Sequence, residues 1–357
     1  MTHVFVAPHP DDAALSCGGL IASLRELGQN VTILTVFSGS GSSDSLSPYQ
    51  REALGFGSKA IWPVTEAFNR ASIPNDYQVG GSEAPWAAEL DRLDATQTDA
   101  DQAARRFWQR SSWYRRADIH NRPSAGQPLI DEQPNQGPVL TEELVDAEEA
   151  GDLAAARRLE DERYAMFAEA SVVHLDLPDA VYRGYEGDEQ LLGVPRPNDP
   201  APIDLLRREI ARLEPQKVYL PLGIGNHVDH QLIREVGLAL LEEGRRWVMP
   251  GPRYTGVVTF YEDFPYAWWQ DFGHLDDLPD GALDGLPDSV ALAPEYAEIG
   301  DQMERKITGI TIYRSQIDRL FGGRKPMAGQ VRAYGAKVAA LGGLHGVAER
   351  YWSSTEV

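Results

Sequence analysis

Two short segments of the chain concentrate side chains that bind metal ions and move protons. Residues 8–12 read PHPDD, and residues 226–230 read NHVDH. Each segment carries candidate ligands at positions i and i+3, which a chain turning into a helix brings to one face. Together the segments supply three imidazoles and three carboxylates. Catalytic zinc commonly uses about three nitrogen or oxygen ligands and keeps one position open for water. The two segments therefore predict a catalytic metal site.

Taken separately, each segment also has a purely structural explanation. An aspartate at the start of a helix accepts backbone N–H groups and is favoured by the helix dipole, which would account for Asp11 and Asp12. The second segment reads equally well as a helix N-terminus with exposed histidines. A catalytic role is favoured over a purely structural one because both segments follow strands, and ligands of an open α/β sheet bind beyond the carboxyl ends of its strands.

The strands and helices that must position these segments are predicted from the spacing of apolar residues along the sequence. Residues 2–7 form a short apolar stretch, apolar residues then recur at helical spacing from Asp12, and Gly28 ends that helix. Residues 31–37 (VTILTVF) are β-branched and uncharged, as expected of a strand buried on both faces. A strand, a helix and a strand in this order make a βαβ unit and hence a parallel sheet.

The same alternation resumes near residue 142 and continues towards the C-terminus. Helices are predicted over 142–170, 203–213, 229–241 and most of 295–341, and strands over 172–177, 217–222 and 255–261. We expect an α/β fold, a Rossmann-like three-layer sandwich with a mostly parallel sheet. One domain would span residues 1–357, with a helical C-terminal part from about 295.

Residues 70–140 interrupt this alternation. They are rich in Asp, Gln, Pro and Ser, with aromatic side chains scattered among charged ones. We interpret the stretch as a polar insertion in a βα connection, since unstructured loops of this length are usually functional or disordered. The aromatic residues favour a packed lid, which we expect to form part of the pocket wall or an oligomer contact.

The charge and composition exclude several classes of partner. The 357 residues carry a net charge of −21, and Coulomb repulsion therefore opposes binding to nucleic-acid phosphates and anionic membranes. Cys17 is the single cysteine, so no internal disulfide forms. The N-terminus reads as a strand instead of a signal peptide, and no apolar stretch approaches the roughly 20 residues that cross a bilayer. We expect a cytoplasmic protein that acts on a small molecule; self-association into a homo-oligomer is left open.

The two segments and three others resemble a known family, the PIG-L/LmbE-like zinc-dependent N-deacetylases. In the opening block, HPDD at 9–12 precedes Leu15, Gly18 and Gly19. The other blocks are 175–183 (LDLPDAVYR), 226–230 (NHVDH), 261–267 (YEDFPYA) and 313–316 (YRSQ). The resemblance covers most of the chain apart from about 70–140, and it departs at Ala13, where many members carry Glu.

The resemblance implies a metal ion held by His9, Asp12 and His230, with zinc expected and another divalent ion left open. It assigns the general base to Asp11. Both assignments agree with the chemistry of amide hydrolysis, because a metal lowers the pKa of bound water from 15.7 toward about 7 and polarises the carbonyl. A neighbouring carboxylate can accept the water proton and pass it to the leaving amine.

Four further positions take roles from the resemblance. His227 matches the side chain that stabilises the oxyanion, which we expect it to do as an imidazolium. Asp229 matches the carboxylate that orients and charges that histidine. Arg183 and Arg157 match substrate contacts, although an arginine beside carboxylates on a helix is more often a solvated ion pair.

These features predict hydrolysis of a non-peptide C–N bond: removal of the acetyl group from an N-acetylated amino sugar or its conjugate, of the N-acetylglucosamine type. Another small acylated amine, such as an antibiotic or thiol precursor, stays open as the substrate. A non-catalytic, metal-bearing sugar-binding protein is the alternative outside enzymes, but it has no need of Asp11 and His227 beside all three ligands. Glu262 and Asp263 stay undecided between a functional and a structural role.

Overall fold

The structure is a computed structural model that describes residues 1–40, 47, 48, 50, 153–245, 256–270 and 291–355. Contacts divide the chain into a unit of residues 1–79 and 151–357 and a unit of residues 80–150. All described residues belong to the first unit. Most of the insertion expected at 70–140 falls in the second unit, and all of it lies outside the described residues, so its role stays a prediction.

A seven-stranded sheet in the order β3-β2-β1-β4-β5-β7-β6 forms the centre of the described part. Its strands are β1 Thr2–Ala7, β2 Asn30–Thr35, β3 Ser171–His174, β4 Lys217–Pro221, β5 Val257–Tyr261, β6 Ala291–Glu298 and β7 Ala348–Thr355. Strands β1 to β5 pair in parallel, whereas β7 runs antiparallel to both β5 and β6. The α/β fold with a mostly parallel sheet that the sequence predicts is therefore confirmed.

The parallel strands β1 and β2 are apolar in sequence because neither face of these strands is exposed to solvent. In β1 and in β2, five consecutive residues are buried. Helices cover such strands on both faces in α/β proteins, which removes the alternation of polar and apolar residues. This burial explains why uncharged, β-branched stretches were sufficient to locate the strands.

Helices connect and flank the strands of the described part. They are α1 Asp12–Glu26, α2 Leu153–Ala168, α3 Asp188–Leu191, α4 Ile203–Leu213, α5 Val228–Arg245, α6 Tyr266–Gln270, α7 Met303–Ile310, α8 Arg314–Phe321 and α9 Arg324–Leu341. Helix α4 coincides with its predicted range because Leu206 and Ile210, one turn apart, form its buried stripe. Among the helices described, none combines the length and apolar character of a segment that crosses a membrane.

The C-terminal part differs from the prediction. The sequence predicts mostly helix over 295–341, but β6 extends to Glu298, and the strand β7, which the sequence analysis missed, follows α9. β6 is an edge strand whose sequence, ALAPEYAE, combines helix-favouring residues with Pro294. Proline is tolerated in an edge strand because one side of that strand has no ladder hydrogen bonds to make. Residues 291–298 therefore form a strand because they pair with β7, although their local propensity favours a helix.

A buried ion pair joins β7 to the helices beneath it. Glu349 accepts hydrogen bonds from the backbone N–H groups of Gly19 and Leu20 in α1, each at 2.9 Å. It also accepts from Lys306 Nζ of α7 at 2.6 Å and from the hydroxyl of Tyr351 at 2.7 Å. Removing one partner of such a pair leaves an uncompensated buried charge, which costs about 3–5 kcal/mol. The helix that begins at Asp12 is thus anchored to the antiparallel edge of the sheet.

Candidate active site

The two motif segments meet because their strands are neighbours. β1 and β4 pair in parallel, with Phe5 opposite Tyr219, so the chain leaves both strands at the same edge of the sheet. The ring centroids of His9 and His227 are 4.9 Å apart, those of His9 and His230 are 5.4 Å apart, and those of His227 and His230 are 5.2 Å apart. The structure thus brings together the three imidazoles that the sequence placed in separate segments.

Among the three expected metal ligands, Asp12 is spaced from each histidine as two ligands of one ion would be. Asp12 Oδ2 lies 3.4 Å from His9 Nδ1 and 3.4 Å from His230 Nε2. Two atoms that are each about 2.0–2.1 Å from a tetrahedral zinc ion are about 3.4 Å apart. The backbone N–H of His9 also donates to Asp12 Oδ2, at 2.8 Å, and this bond closes the turn between strand and helix.

Each of the two histidines is oriented by a carboxylate. His9 donates from Nε2 to Asp229 at 2.8 Å, which leaves the lone pair on Nδ1. His230 donates from Nδ1 to Asp263 at 2.7 Å, which leaves the lone pair on Nε2. His230 Nε2 is buried and has no hydrogen-bond partner among the residues that the structure describes. A buried polar atom without a partner is costly unless an ion or water satisfies it, so these residues fit a divalent metal ion.

The electrostatic field at this position favours positive charge. Burial alone would raise the pKa of Asp12, but His230 and His9 hold it at about 2. Burial alone would lower the pKa of His9, but Asp179 and hydrogen bonds with Asp12 and Asp229 raise it to about 10. Carboxylates that hold a proton this firmly on an imidazole also attract a metal ion in its place.

Two other groupings of possible ligands are less suitable. His9, Asp179 and Asp229 offer ligand atoms within 4.8 Å of one another, and so do His9, His227 and His230. In the first group, Arg157 lies 3.5 Å from Asp179 and Arg183 pairs with Asp229, so arginines already neutralise both carboxylates. The second group lacks a carboxylate. The set containing Asp12 keeps the negative charge that a divalent ion requires.

Asp11 is held in an unfavourable backbone conformation beside this set. It precedes α1 with φ +109°, a region that residues other than glycine rarely occupy, and its side chain makes no capping hydrogen bond. The capping explanation considered for Asp11 is therefore wrong. Burial raises the pKa of its carboxyl to about 8, against the opposing charge of Arg157, whose Nη2 lies 3.5 Å away. A carboxyl group with a pKa near neutrality is suited to exchange protons with a substrate.

His227 differs from the expected imidazolium. Its Nδ1 accepts a hydrogen bond from the backbone N–H of Asp229 at 3.3 Å, which leaves the hydrogen on Nε2. Burial and the neighbouring His9 and His230 hold its pKa well below the usual value, so the ring is neutral. The Asp229 carboxylate, expected to orient and charge His227, instead accepts from His9, because the start of α5 directs it towards that ring and Arg183.

The two expected substrate arginines are engaged within the protein. Arg157 is buried in α2 and donates to the backbone carbonyl of Pro10 at 3.1 Å. Arg183 donates from Nε to Asp199 at 3.0 Å and also pairs with Asp229. Both guanidinium groups therefore support carboxylates of the site, and Arg157 alone also lines the cleft described below.

An open cleft adjoins His9, Asp12 and Asp11. Its wall includes side chains that the sequence analysis did not select: Val181, Leu191, Tyr266, Gln316, Arg319 and Leu320. Val181, Tyr266 and Gln316 lie within the segments 175–183, 261–267 and 313–316 that resemble the family, as do Asp179 and Asp263. Membership of those segments is a sequence signal that could have identified them as site residues. Arg319 lies in none of those segments and is brought to the cleft by helix α8 alone.

Comparisons with known proteins find similarity to deacetylases. The family model described as PIG-L: GlcNAc-PI de-N-acetylase matches residues 4–60. A 2'-N-acetylparomamine deacetylase of Niallia circulans is 29% identical over 143 residues, which are 36% of this chain and 46% of that protein. The corresponding enzyme of Streptomyces fradiae is 29% identical over 172 residues, 45% of this chain and 53% of that protein. The chain thus spans about half the length of the curated relatives it matches.

Among solved structures, the zinc-inhibited form of a teicoplanin deacetylase has a similar fold. The TM-score is 0.56 at 17% identity, over 100% of this chain and 99% of that chain. At this identity the likeness concerns the fold alone. The resemblance to the PIG-L/LmbE-like deacetylases that the motifs predict is confirmed, since residues 4–60 match the PIG-L family model and a deacetylase of known structure has a similar fold.

Proposed function

We propose that this chain is a metal-dependent N-deacetylase that removes the acetyl group from an N-acetylated amino sugar or its conjugate. The observation that carries the proposal is the spacing of 3.4 Å from Asp12 Oδ2 to one nitrogen of His9 and to one of His230. Two groups suited to amide hydrolysis, Asp11 and His227, line the same cleft. The proposed ion is zinc or another divalent metal.

In the proposed mechanism, a divalent ion at His9, Asp12 and His230 would polarise the acetyl carbonyl and lower the pKa of water. Asp11 accepts a proton from the attacking water as the new C–O bond forms. It then passes that proton to the amine nitrogen as the C–N bond breaks, so that acetate and a free amine leave. The charge of Arg157, 3.5 Å away, opposes the effect of burial and favours the ionised form of Asp11, which is the form that accepts the proton.

His227 is proposed to stabilise the oxyanion as a neutral hydrogen-bond donor. The backbone N–H of Asp229 occupies its Nδ1, so Nε2–H is available to the cleft. A donor that is already oriented stabilises developing charge without reorganisation during the reaction. Arg183 and Asp229 are proposed to act indirectly, because Arg183 pairs with the carboxylate that orients His9.

Replacing His227 with alanine is expected to lower kcat by about 10²- to 10³-fold, the usual effect of losing one oxyanion donor. Metal content should be unchanged, because His227 is not among the proposed ligands. Steady-state kinetics and elemental analysis of the same preparation provide the measurement. If the variant loses its metal together with its activity, His227 is a ligand and this assignment is wrong.

The names of the relatives support an aminoglycoside-type amino sugar as substrate. Two 2'-N-acetylparomamine deacetylases are 29% identical to this chain over the matched regions. The cleft combines polar groups that can bind sugar hydroxyls with the ring of Tyr266, on which a sugar face can pack. The substrate panel should therefore contain N-acetylglucosamine, its conjugates, 2'-N-acetylparomamine and acylated amines without a sugar.

The test is release of acetate and of free amine from this panel, with the metal content of the protein measured in parallel. We expect turnover of at least one N-acetylated amino sugar and its abolition by a chelator. Turnover of only the sugar-free amines would favour a different amidase. Sugar binding without any turnover would support a metal-bearing binding protein and contradict the proposal.

A further inference from the structure

Asp263 lies in the turn between β5 and α6 and uses both carboxylate oxygens. It is 1% exposed. Its Oδ1 accepts from His230 Nδ1 at 2.7 Å. Its Oδ2 accepts from the backbone N–H groups of Gly223 and Ile224 at 2.8 Å and 2.9 Å. One buried carboxylate therefore holds a candidate ligand and the loop that leads to it.

The loop has a shape that needs such an anchor. Gly223 and Gly225 have φ values of +82° and +88°, and Asn226 has +57°. This backbone turns its N–H groups inward, where they require an acceptor. A carboxylate supplies one, and it does so only in the orientation that also faces the ring of His230.

The same turn also contacts the other half of the site. The backbone N–H of Phe264 donates to Ser16 Oγ at 3.1 Å. Ser16 lies one helical turn after Asp12 in α1, so the two project from the same side of that helix. The turn therefore links the helix that carries Asp12 to the loop that precedes His230, across a sequence separation of more than two hundred residues.

We propose that Asp263 is a positioning residue of the metal site: it selects Nε2 as the nitrogen that His230 offers and keeps the 223–226 loop in place. The inference rests on the metal site of the proposed function. Since a carboxylate only accepts hydrogen bonds, the facing nitrogen of His230 must carry the hydrogen. Supporting residues of this kind typically contribute about 10- to 100-fold to metal affinity.

Asparagine at this position cannot meet both demands. If its oxygen faces the loop, its amide group donates to His230 Nδ1, and the hydrogen of the ring moves to Nε2. If the amide is turned round, two backbone N–H groups face a donor and lose their acceptor. Asp263→Asn is therefore expected to bind zinc about 10- to 100-fold more weakly, measured by competition with a chromophoric chelator and without any substrate.

Glu262 offers a matched control in the adjacent position. It is buried, and it accepts from Tyr334, from Arg350 Nε at 2.6 Å and from Trp352 Nε1 at 2.9 Å, all within the C-terminal part of the chain. Glu262→Gln makes the same chemical change at similar burial. It should lower the melting temperature and leave zinc affinity at the wild-type value. Equal loss of zinc affinity in both variants would overturn the proposal, because general destabilisation would then explain it.

Nitrogen NMR of histidine-labelled wild-type protein supplies a second readout that needs no folded Asp263 variant. The His230 signal is assigned by its absence in His230→Gln, and the metal-free protein should show hydrogen on Nδ1. Hydrogen on Nε2 alone would overturn the proposal. Failure of wild type to bind any divalent ion would contradict the proposed function, whereas the ring tautomer would still test the role of Asp263.

Discussion

Asp11→Asn is expected to lower kcat by about 10²- to 10⁴-fold while the protein keeps its metal, since this is the usual contribution of a general acid–base group. The amide cannot accept the proton of the attacking water. Asparagine has nearly the size of aspartate and tolerates a positive φ better than most residues, so the turn at φ +109° should be retained. The measurement is kcat on the best substrate of the panel, with metal content from the same sample.

Asp12→Asn is the matched control for this prediction, because it makes the same change one residue later. Asp12 Oδ2 accepts from the backbone N–H of His9 and is spaced as a ligand from His9 and His230. This variant should lose metal affinity, and added zinc should restore part of its activity. If Asp11→Asn empties the site while Asp12→Asn does not, the roles of base and ligand are exchanged.

His230→Ala is expected to keep less than about one hundredth of the wild-type zinc affinity, since even a supporting residue contributes about 10- to 100-fold. Two remaining ligands hold zinc poorly. Hydrolysis should fall with the metal, and treatment of wild type with a chelator should have the same effect until zinc is added back. Competition with a chelator and activity assays across zinc concentrations provide the measurements.

His3→Ala controls for the loss of a buried imidazole. His3 lies near the start of β1, away from the strand end that leads to His9, and its Nδ1 is 3.3 Å from the hydroxyl of Tyr219. This variant should bind zinc as wild type does. Full hydrolysis by metal-stripped wild-type protein would contradict the metal-dependent function itself, whatever the behaviour of the variants.

The parallel part of the fold was predictable because its signal is local. β1, β2 and α4 carry continuous apolar stretches or a single apolar stripe, and these patterns survive in any tertiary context. The edge strand β6 carries no such pattern: it alternates only weakly and contains Pro294. Its strand conformation depends on backbone hydrogen bonds with β7, a segment about fifty residues later. The local sequence of β6 does not predict that pairing.

The candidate ligands were predictable for a related reason. His9 and Asp12 are three residues apart and come directly after β1, and His227 and His230 have the same spacing after the short loop that follows β4. Spacing along a turn and position at a strand end are both local properties. The sequence by itself therefore determined the strands of the parallel sheet, the edge at which chemistry is expected, and the side chains that gather there.

Only the tertiary structure decided how those side chains are paired. His9 meets Asp229 across 220 positions of the sequence, and His230 meets Asp263 across 33. These contacts select which nitrogen each ring leaves free, and they place the Asp229 carboxylate on His9, whereas the sequence predicts that it orients His227. They also pair Arg157 and Arg183 with buried carboxylates, and contact of either arginine with substrate stays a prediction. The physical reason is that a buried charge must find its partner among whatever neighbours packing supplies, and those neighbours come from distant parts of the chain.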